Sequence, residues 1–448
     1  MSKRFFNSIT HGEYEYAAQV IELNNELFNR TADDITRIIN TVNIDELQGR
    51  DLEIYQTYVH EMTHFLDSTT TLWGLEFTCR MYRWFKHKTD EALRVVALND
   101  AEITMHKQLI NKSNHSLHFD CIKFSLEYNE NVGMYVHLHY LNRLNTPLQS
   151  VPLSMLSLFE GHAYAQEKLI ACKRHEQHDD LVSLKLLESE IRNQIERIDS
   201  SEYTCILALA MQLLPTVKLS RKLELICVIS NFCLNIPSMY IAKTPEYILR
   251  AVFSGAPIEY ISSLKMELSR SSNRSVLALV VLVSVFMQVE ADRSKLNSLS
   301  LPAIEDLILQ IFVSYGQSSA ELRELIQRIW AVEFEFYSEK CIEVGADLAL
   351  IMAKQKVKQG WNMSSLTSYL LPNILLSSGE QISPDNSINV DMQKHFDDIL
   401  ENSMSLEAAL NNYGVKREHL SPEFHHGWLN HIKTVGTGLY VHDIKNEL

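Results

Sequence analysis

The stretch Tyr58-Val59-His60-Glu61-Met62-Thr63-His64-Phe65-Leu66-Asp67 contains the pattern His-Glu-x-x-His. On a helix, His60 and His64 lie four residues apart on one face, so both imidazoles can bind the same metal ion. Glu61 lies beside them, where a carboxylate can act as general base on a water at that ion. The stretch therefore predicts the inner half of a hydrolytic site with Zn²⁺ as cofactor. A second interpretation is two partly buried histidines with ordinary hydrogen-bond partners.

The residues around this motif favour a helix with one buried face. From Asp51 to Phe65 there is no Pro or Gly. Apolar side chains recur there at helical spacing and form a stripe, namely Leu52, Tyr55, Val59, Met62 and Leu66. The two histidines are thus expected on a half-buried helix, where a titratable imidazole needs a partner.

Length and composition bound the fold class. The chain of 448 residues is long enough for one large domain or for two to three ordinary ones. Gly (14) and Pro (10) are scarce, which favours long helices over a β-sandwich. The net charge of −15 argues against a nucleic-acid partner, because no excess of basic residues is available to neutralise phosphates. We therefore predict a mainly α (α+β) protein.

The cysteines and the apolar runs bear on location. Seven cysteines are scattered without a Cys-x-x-Cys pair, mostly in apolar stretches, as is typical of buried free thiols in a reducing compartment. The N-terminal residues lack an apolar core of signal-peptide length. The longest uncharged run, 275–289, is shorter than the roughly 18 residues that a membrane span needs, so it predicts a buried helix. We expect a cytoplasmic protein without a membrane span.

The first 140 residues are predicted to combine helices with short strands. Alternation at 13–16 indicates an edge strand, and helices are predicted over 31–39, from about 51, over 72–87 and over 89–110. Residues 119–128 and 134–140 alternate around a turn that contains Gly133, which predicts a β-hairpin. His137 and His139 share one face of its second strand. They are either a ligand pair or part of a solvated face, and the lack of an accompanying Glu or Cys favours the solvated face.

A second helix that carries an acid is predicted from Pro152 onward, since Pro suits a first helical turn. Apolar residues at 155–159 precede Glu160, and a buried carboxylate is costly unless it is paired or bound to a metal. Gly161 and Ala163 beside it are small, so another helix or a substrate backbone can approach closely.

The two motifs His60-Glu61-x-x-His64 and Phe159-Glu160-Gly161-His162-Ala163 together resemble the gluzincin group of zinc metallopeptidases. In that group, a second helix often carries the third ligand as the Glu of Glu-Gly-x-Ala. The resemblance implies that His60, His64 and Glu160 bind zinc, that Glu61 is the general base, and that the substrate is a protein or peptide. The spacing between the motifs is longer than in thermolysin-like members, and Tyr164 stands where those members carry an acid.

Further side chains near the motifs are candidates for supporting roles. Glu167, two turns after Glu160 on the same face, either accepts the free ring N–H of a ligand histidine or is an ordinary surface acid. Asp67, one turn after His64, either orients an imidazole or caps the helix. His162 is rotated by about 200° from Glu160 and is therefore not expected as the third ligand. The candidate donors to a tetrahedral oxyanion are Tyr164, His162, His425, His426 and His431.

The expected organisation has three parts. Residues 1–175 form a zincin-like unit with the hairpin beside both motif helices, and 176–400 form an all-helical domain that covers one side of it. Within that domain, one long helix is predicted over about 319–358 and an exposed loop over 372–395, which is rich in Pro, Ser, Gly, Asp and Asn. Residues 401–448 form a small C-terminal segment that packs back on the core.

Two other function classes stay open at this point. Glu61-x-x-His64 and Glu423-x-x-His426 are both Glu-x-x-His patterns, which di-iron carboxylate oxidases carry in helix bundles. The second pattern lies between Pro422 and Gly427 and not within a long helix, which argues against an oxidase. The other class is a non-catalytic helical interaction protein that keeps a structural zinc. Two irons per chain would distinguish the oxidase from the two zinc-binding classes, and the sequence does not indicate the oligomeric state.

Overall fold

Helices form most of the protein, which is described by a computed structural model over residues 10–41, 43–110, 118–130, 132–269, 273–313, 317–362, 369–388 and 390–411. The helices within these ranges are α1 (Asn25–Phe28), α2 (Ala32–Ile39), α3 (Arg50–Thr70), α4 (Leu72–His87), α5 (Asp90–Ile110), α6 (Met155–Gln177), α7 (Leu181–Ile195), α8 (Ser201–Leu213), α9 (Leu219–Asn235), α10 (Ser238–Ala242), α11 (Glu246–Val252), α12 (Ile258–Ser269), α13 (Arg274–Gln288), α14 (Leu301–Gln310), α15 (Ser319–Val344), α16 (Asp347–Gln359) and α17 (Met392–Asn411). The predicted mainly α (α+β) class is confirmed.

The strands form two small sheets. They are β1 (Gly12–Glu15), β2 (Val20–Leu23), β3 (Cys121–Asn129), β4 (Gly133–Leu141), β5 (Pro147–Leu153), β6 (Ile374–Leu376) and β7 (Gln381–Ile382). The first sheet has the order β1-β2-β6-β7, with β2 and β6 parallel and the other pairs antiparallel. The second is the antiparallel sheet β3-β4-β5. The predicted hairpin is confirmed as β3 and β4, and β5 extends it.

The motif helix α3 ends in a run of hydroxyl residues. The hydroxyls of Thr69 and Thr70 donate to backbone carbonyls four residues earlier, each at 2.6 Å. This bonding competes with helix propagation. Thr71 is then extended, and its hydroxyl accepts from Gly74 N at 3.0 Å to cap α4. The chain therefore passes from α3 into α4 with a single residue between them.

The helix that carries Glu160 begins later than predicted. Residues 147–153 form strand β5, with Pro152 opposite His137, and α6 begins at Met155. Pro is tolerated there because β5 is an edge strand. Ser154 and Ser157 form a reciprocal capping box that sets the start of α6.

The sheet beside α3 is the N-terminal one. Strands β1 and β2 pack against α3, whereas the hairpin β3–β4 packs against α8 and α12. The prediction that the hairpin lies beside both motif helices is therefore wrong. Strand β6 completes the N-terminal sheet by pairing Leu375 and Leu376 with Glu22 and Leu23. Residues 374–376 are buried, so the prediction of an exposed loop over 372–395 is also wrong.

The C-terminal half differs from prediction at two further places. The long helix predicted over about 319–358 is two helices, α15 and α16, which are separated at Gly345. Gly345 has φ +78°, a left-handed conformation that caps α15 and that glycine adopts without steric cost. Helix α17 runs through the predicted boundary at 400/401, and residues 412–448 lie outside the described ranges. One hydrophobic core extends from Tyr14 to Leu406 across both predicted domain boundaries.

The uncharged run 275–289 forms the buried helix α13, as predicted. Within the described ranges, no single helix is both long and apolar enough to cross a membrane. The bent pair α12–α13 reaches the required length and composition only when its two helices are taken together.

Candidate metal centre

Packing of α3 on α6 brings three potential metal ligands together. His64 Nε2 lies 3.2 Å from His60 Nε2 and 3.1 Å from Glu160 Oε2. The third side of this triangle, from His60 Nε2 to Glu160 Oε2, measures 3.4 Å. All three side chains are largely buried, with side-chain exposures of 12%, 4% and 15% for His60, His64 and Glu160.

The triangle has the dimensions of a tetrahedral zinc site. Ligand atoms at 2.0–2.2 Å from zinc and at tetrahedral angles lie about 3.3 Å apart. The three measured separations, 3.2, 3.1 and 3.4 Å, match that value. The donor set of two imidazoles and one carboxylate is one that catalytic zinc sites use, with a fourth position left for water or substrate. The residues therefore fit the metal that the motif predicts.

The second nitrogen of each imidazole also has a partner. His60 Nδ1 lies 3.2 Å from Glu167 Oε2 on α6, and His64 Nδ1 lies 3.0 Å from the hydroxyl of Tyr16. Contacts of this kind hold a ring so that its other nitrogen points at the metal. Lys168 Nζ lies 3.0 Å from Glu167 Oε1. This ion pair keeps the carboxylate of Glu167 in position to contact His60.

The charges of the cluster favour a cation at its centre. Burial by itself lowers the pKa of His60, but the carboxylates of Glu160 and Glu167 outweigh this effect and hold the pKa well above its ordinary value. Burial by itself raises the pKa of Glu160, but the two imidazoles outweigh it and the pKa is lowered. Two buried carboxylates thus flank His60, and positive charge between them is stabilised.

Glu61 lies beside the triangle at the end of a cleft. It is 7% exposed, and burial is the main reason that its pKa is raised to about 7. Gly12 of β1 packs directly on it, because a Cβ at Gly12 would lie 3.0 Å from both Glu61 Cγ and Oε1. The absence of a side chain at position 12 lets the edge strand approach the motif helix.

The cleft is large enough for a peptide segment. It has a volume of about 680 Å³, and its lining includes residues 10–12 together with His60, Glu61, Glu167, Lys168 and Tyr203. The ring of Tyr203, on α8, packs on the ring of His60 with centroids 5.9 Å apart. The nearby carboxylate of Glu160 and burial both raise the pKa of Tyr203, so its hydroxyl keeps its proton.

Other candidates from the sequence have their polar atoms engaged elsewhere. The hydroxyl of Tyr164 donates to Gln194 at 2.6 Å, towards α7. His162 and Asp67 are buried together, with His162 Nδ1 2.9 Å from Asp67 Oδ2. Asp67 therefore does pair with an imidazole, but with that of His162. Of the remaining candidates, His425, His426 and His431 lie outside the described ranges, as does the Glu423-x-x-His426 pattern.

Sequence reasoning missed Tyr16, Tyr203 and Gly12. The alternation at 13–16 indicated a strand, but nothing in it linked Tyr16 to a histidine 48 positions later. It also missed Glu127, which joins His137 and His139 in a second group of potential metal ligands. Aligning the two strands of the predicted hairpin would have placed Glu127 near the two histidines, because Glu127 pairs with Tyr135, two residues before His137.

Comparisons of this chain with protein-family models, with curated proteins and with solved structures found no match.

Proposed function

We propose that the chain is a zinc-dependent metallopeptidase that hydrolyses a peptide bond in a protein or peptide. The observation that carries the proposal is the triangle of His60 Nε2, His64 Nε2 and Glu160 Oε2, with sides of 3.2, 3.1 and 3.4 Å. Structural zinc sites are closed by four protein ligands, whereas catalytic sites use three and open onto a cleft. Among the described residues the site has three ligands, and one of them, His60, lines an open cleft, which favours catalysis over a structural zinc.

Glu61 is the proposed general base. Its pKa of about 7 suits proton exchange near neutral pH. When bound, zinc would supply a water of lowered pKa and polarise the carbonyl of the scissile bond. Glu61 would accept the proton of that water and deliver it to the leaving amine. His60 and His64 stay in place during these transfers, because Glu167 and Tyr16 hold their outer nitrogens.

Tyr203 is the proposed donor to the developing oxyanion. Its ring packs on His60 and it lines the same cleft as Glu61. Because its pKa is raised, its hydroxyl remains protonated and can donate a hydrogen bond. A donor that meets charge which develops only in the transition state accelerates the chemical step.

The edge strand β1 favours an extended peptide as substrate. Among the described strands it lies at the edge of its sheet, and residues 10–12 at its start line the same cleft as Glu61. An exposed strand edge can pair with an extended chain through main-chain hydrogen bonds, which bind peptides of many sequences. The cytoplasmic location expected from the sequence is part of the proposal, and it agrees with the seven cysteines being free.

The test uses Glu61→Gln, which keeps the shape of the side chain but cannot accept the proton. Purified wild-type and variant chains, loaded with zinc, are incubated with a proteome-derived peptide library, and the cleavages are read by mass spectrometry. Glu246→Gln is the matched control, because Glu246 is an exposed acid on α11 that pairs with Arg250. We expect cleavage by the wild type and by the control, one zinc per chain at the triangle, and no cleavage by Glu61→Gln.

Three results would contradict the proposal. Cleavage that persists in Glu61→Gln would remove Glu61 from the mechanism. Two irons per chain in place of zinc would favour the oxidase class, and zinc binding without any cleavage would favour the non-catalytic class.

A further inference from the structure

The outer face of the sheet β3-β4-β5 carries a second group of metal-binding side chains. His137 and His139 lie two residues apart on β4, and Glu127 lies on the neighbouring strand β3. Because alternate residues of a strand share a face, all three project to the side opposite the buried Leu126, Val136 and Leu138. One ligand atom from each of the three lies within 4.8 Å of the others.

We propose that Glu127, His137 and His139 form a second binding site for a divalent transition-metal ion of the zinc type. The carboxylate of Glu127 lies close to both imidazoles, with Oε2 at 3.1 Å from His137 Nδ1 and Oε1 at 3.7 Å from His139 Nε2. Imidazole with carboxylate suits zinc, nickel or copper, whereas magnesium and calcium prefer sites made of oxygen alone.

The neighbours of His139 prepare its ring for metal binding. Ser150 Oγ on β5 lies 2.8 Å from His139 Nδ1, so a bond there leaves Nε2 directed at Glu127.

The site is less preorganised than the triangle on α3 and α6. A tetrahedral ion needs ligand atoms about 3.3 Å apart. The separation of 3.1 Å fits and that of 3.7 Å is wider, the two distances being to different oxygens of Glu127, and one ligand atom from each residue lies within 4.8 Å of the others. The side chains are also more exposed, at 24% for each histidine and 36% for Glu127. We therefore expect this site to bind zinc more weakly than the triangle and to exchange it with solvent.

A competing explanation is a closed hydrogen-bond network with no metal. The hydroxyls of Ser125 and Tyr135 donate to Glu127 at 2.7 and 3.0 Å, and Ser125 Oγ lies 2.7 Å from His139 Nε2. An ion would have to displace the Ser125 contact from His139. Lys123 is opposite His139 on the same face and adds positive charge there, although its side chain is exposed.

The experiment titrates full-length protein that already holds its tightly bound zinc. Zn²⁺ is added against a chromophoric chelator, and binding is compared in wild type, in His137→Ala/His139→Ala and in His118→Ala. His118 is the matched control, because it precedes β3, its side chain is 87% exposed, and its Nδ1 lies 3.0 Å from Glu196 Oε2, away from the proposed site. We expect wild type and control to bind one further zinc, and the double variant to need at least about tenfold more zinc for the same occupancy.

A titration of the double variant that superimposes on that of the wild type would overturn the proposal. If the double variant does not fold, as judged by circular dichroism, Glu127→Gln replaces it, because the amide keeps the size of the side chain. Histidine ring resonances provide a second readout, since the second equivalent of zinc should shift those of His137 and His139. If only other ring resonances shift, the zinc is bound elsewhere and the assignment is wrong.

Discussion

Replacing Glu160 or Glu167 by Ala should lower zinc affinity by very different amounts. Glu160 Oε2 lies 3.1 Å from His64 Nε2 and 3.4 Å from His60 Nε2, so Glu160→Ala removes one of three ligands. Glu167 Oε2 lies 3.2 Å from His60 Nδ1, so Glu167→Ala removes only the group that orients the ring. Loss of an orienting partner typically costs about 10–100-fold in affinity, which is about 1.4–2.7 kcal/mol. Loss of the ligand itself should cost far more.

Competition with a chromophoric chelator measures these affinities in full-length protein. Glu190→Ala is the matched control, because Glu190 and Glu167 each contact Lys168 Nζ at 3.0 Å but only Glu167 reaches an imidazole. We expect the control to bind zinc as the wild type does. Circular dichroism of each metal-free variant shows whether the fold persists.

The pattern of losses decides which carboxylate binds the metal. If Glu167→Ala empties the site and Glu160→Ala does not, the two roles are exchanged. If neither variant loses affinity, the triangle is not the zinc site. A loss in Glu190→Ala equal to that in Glu167→Ala would show that Lys168, and not the contact with His60, carries the effect.

Three further predictions concern other side chains. Tyr16→Phe removes the partner of His64 Nδ1 and should weaken zinc binding by about 10–100-fold in the same competition assay, so unchanged affinity would contradict the role of Tyr16. Burial lowers the pKa of Lys356 from 10.5 to about 8, so the buried charge destabilises the fold at pH 7. Lys356→Met should therefore raise the free energy of unfolding at pH 7 by at most about 3 kcal/mol, and this gain should shrink as pH rises from 8 to 10.5. Burial lowers the pKa of His106 from 6.5 to about 4. As pH falls through that range, the free energy of unfolding of the wild type should therefore fall by up to about 3 kcal/mol more than that of His106→Asn, which urea unfolding at several pH values would test.

The sequence alone determined features that depend on near neighbours. The apolar stripe from Leu52 to Leu66 indicated the helix α3, and the spacing of His60 and His64 then placed both on one face of it. The box formed by Thr31 and Asp34 marked the start of α2. An acid after an apolar turn singled out Glu160 as a buried carboxylate in need of a partner, and the structure brings it to the two histidines. Periodicity, capping and the cost of burying charge all act within a few turns, so they can be read locally.

Features that join distant parts of the chain were decided only by the tertiary structure. Residues 374–376 lie in a stretch, 372–395, that resembles a loop by composition, yet they form a buried strand in which Leu376 pairs with Leu23. Next to this strand pair, Ser377 Oγ donates to Asn24 Oδ1 at 3.1 Å, although the two residues are 353 positions apart. Tyr16 reaches the histidines from the turn between β1 and β2, and Tyr203 from α8, and no local pattern connects either residue to α3. The free energy of burying such surfaces depends on which segments meet, and that is set by the packing of the whole chain and not by the composition of any one stretch.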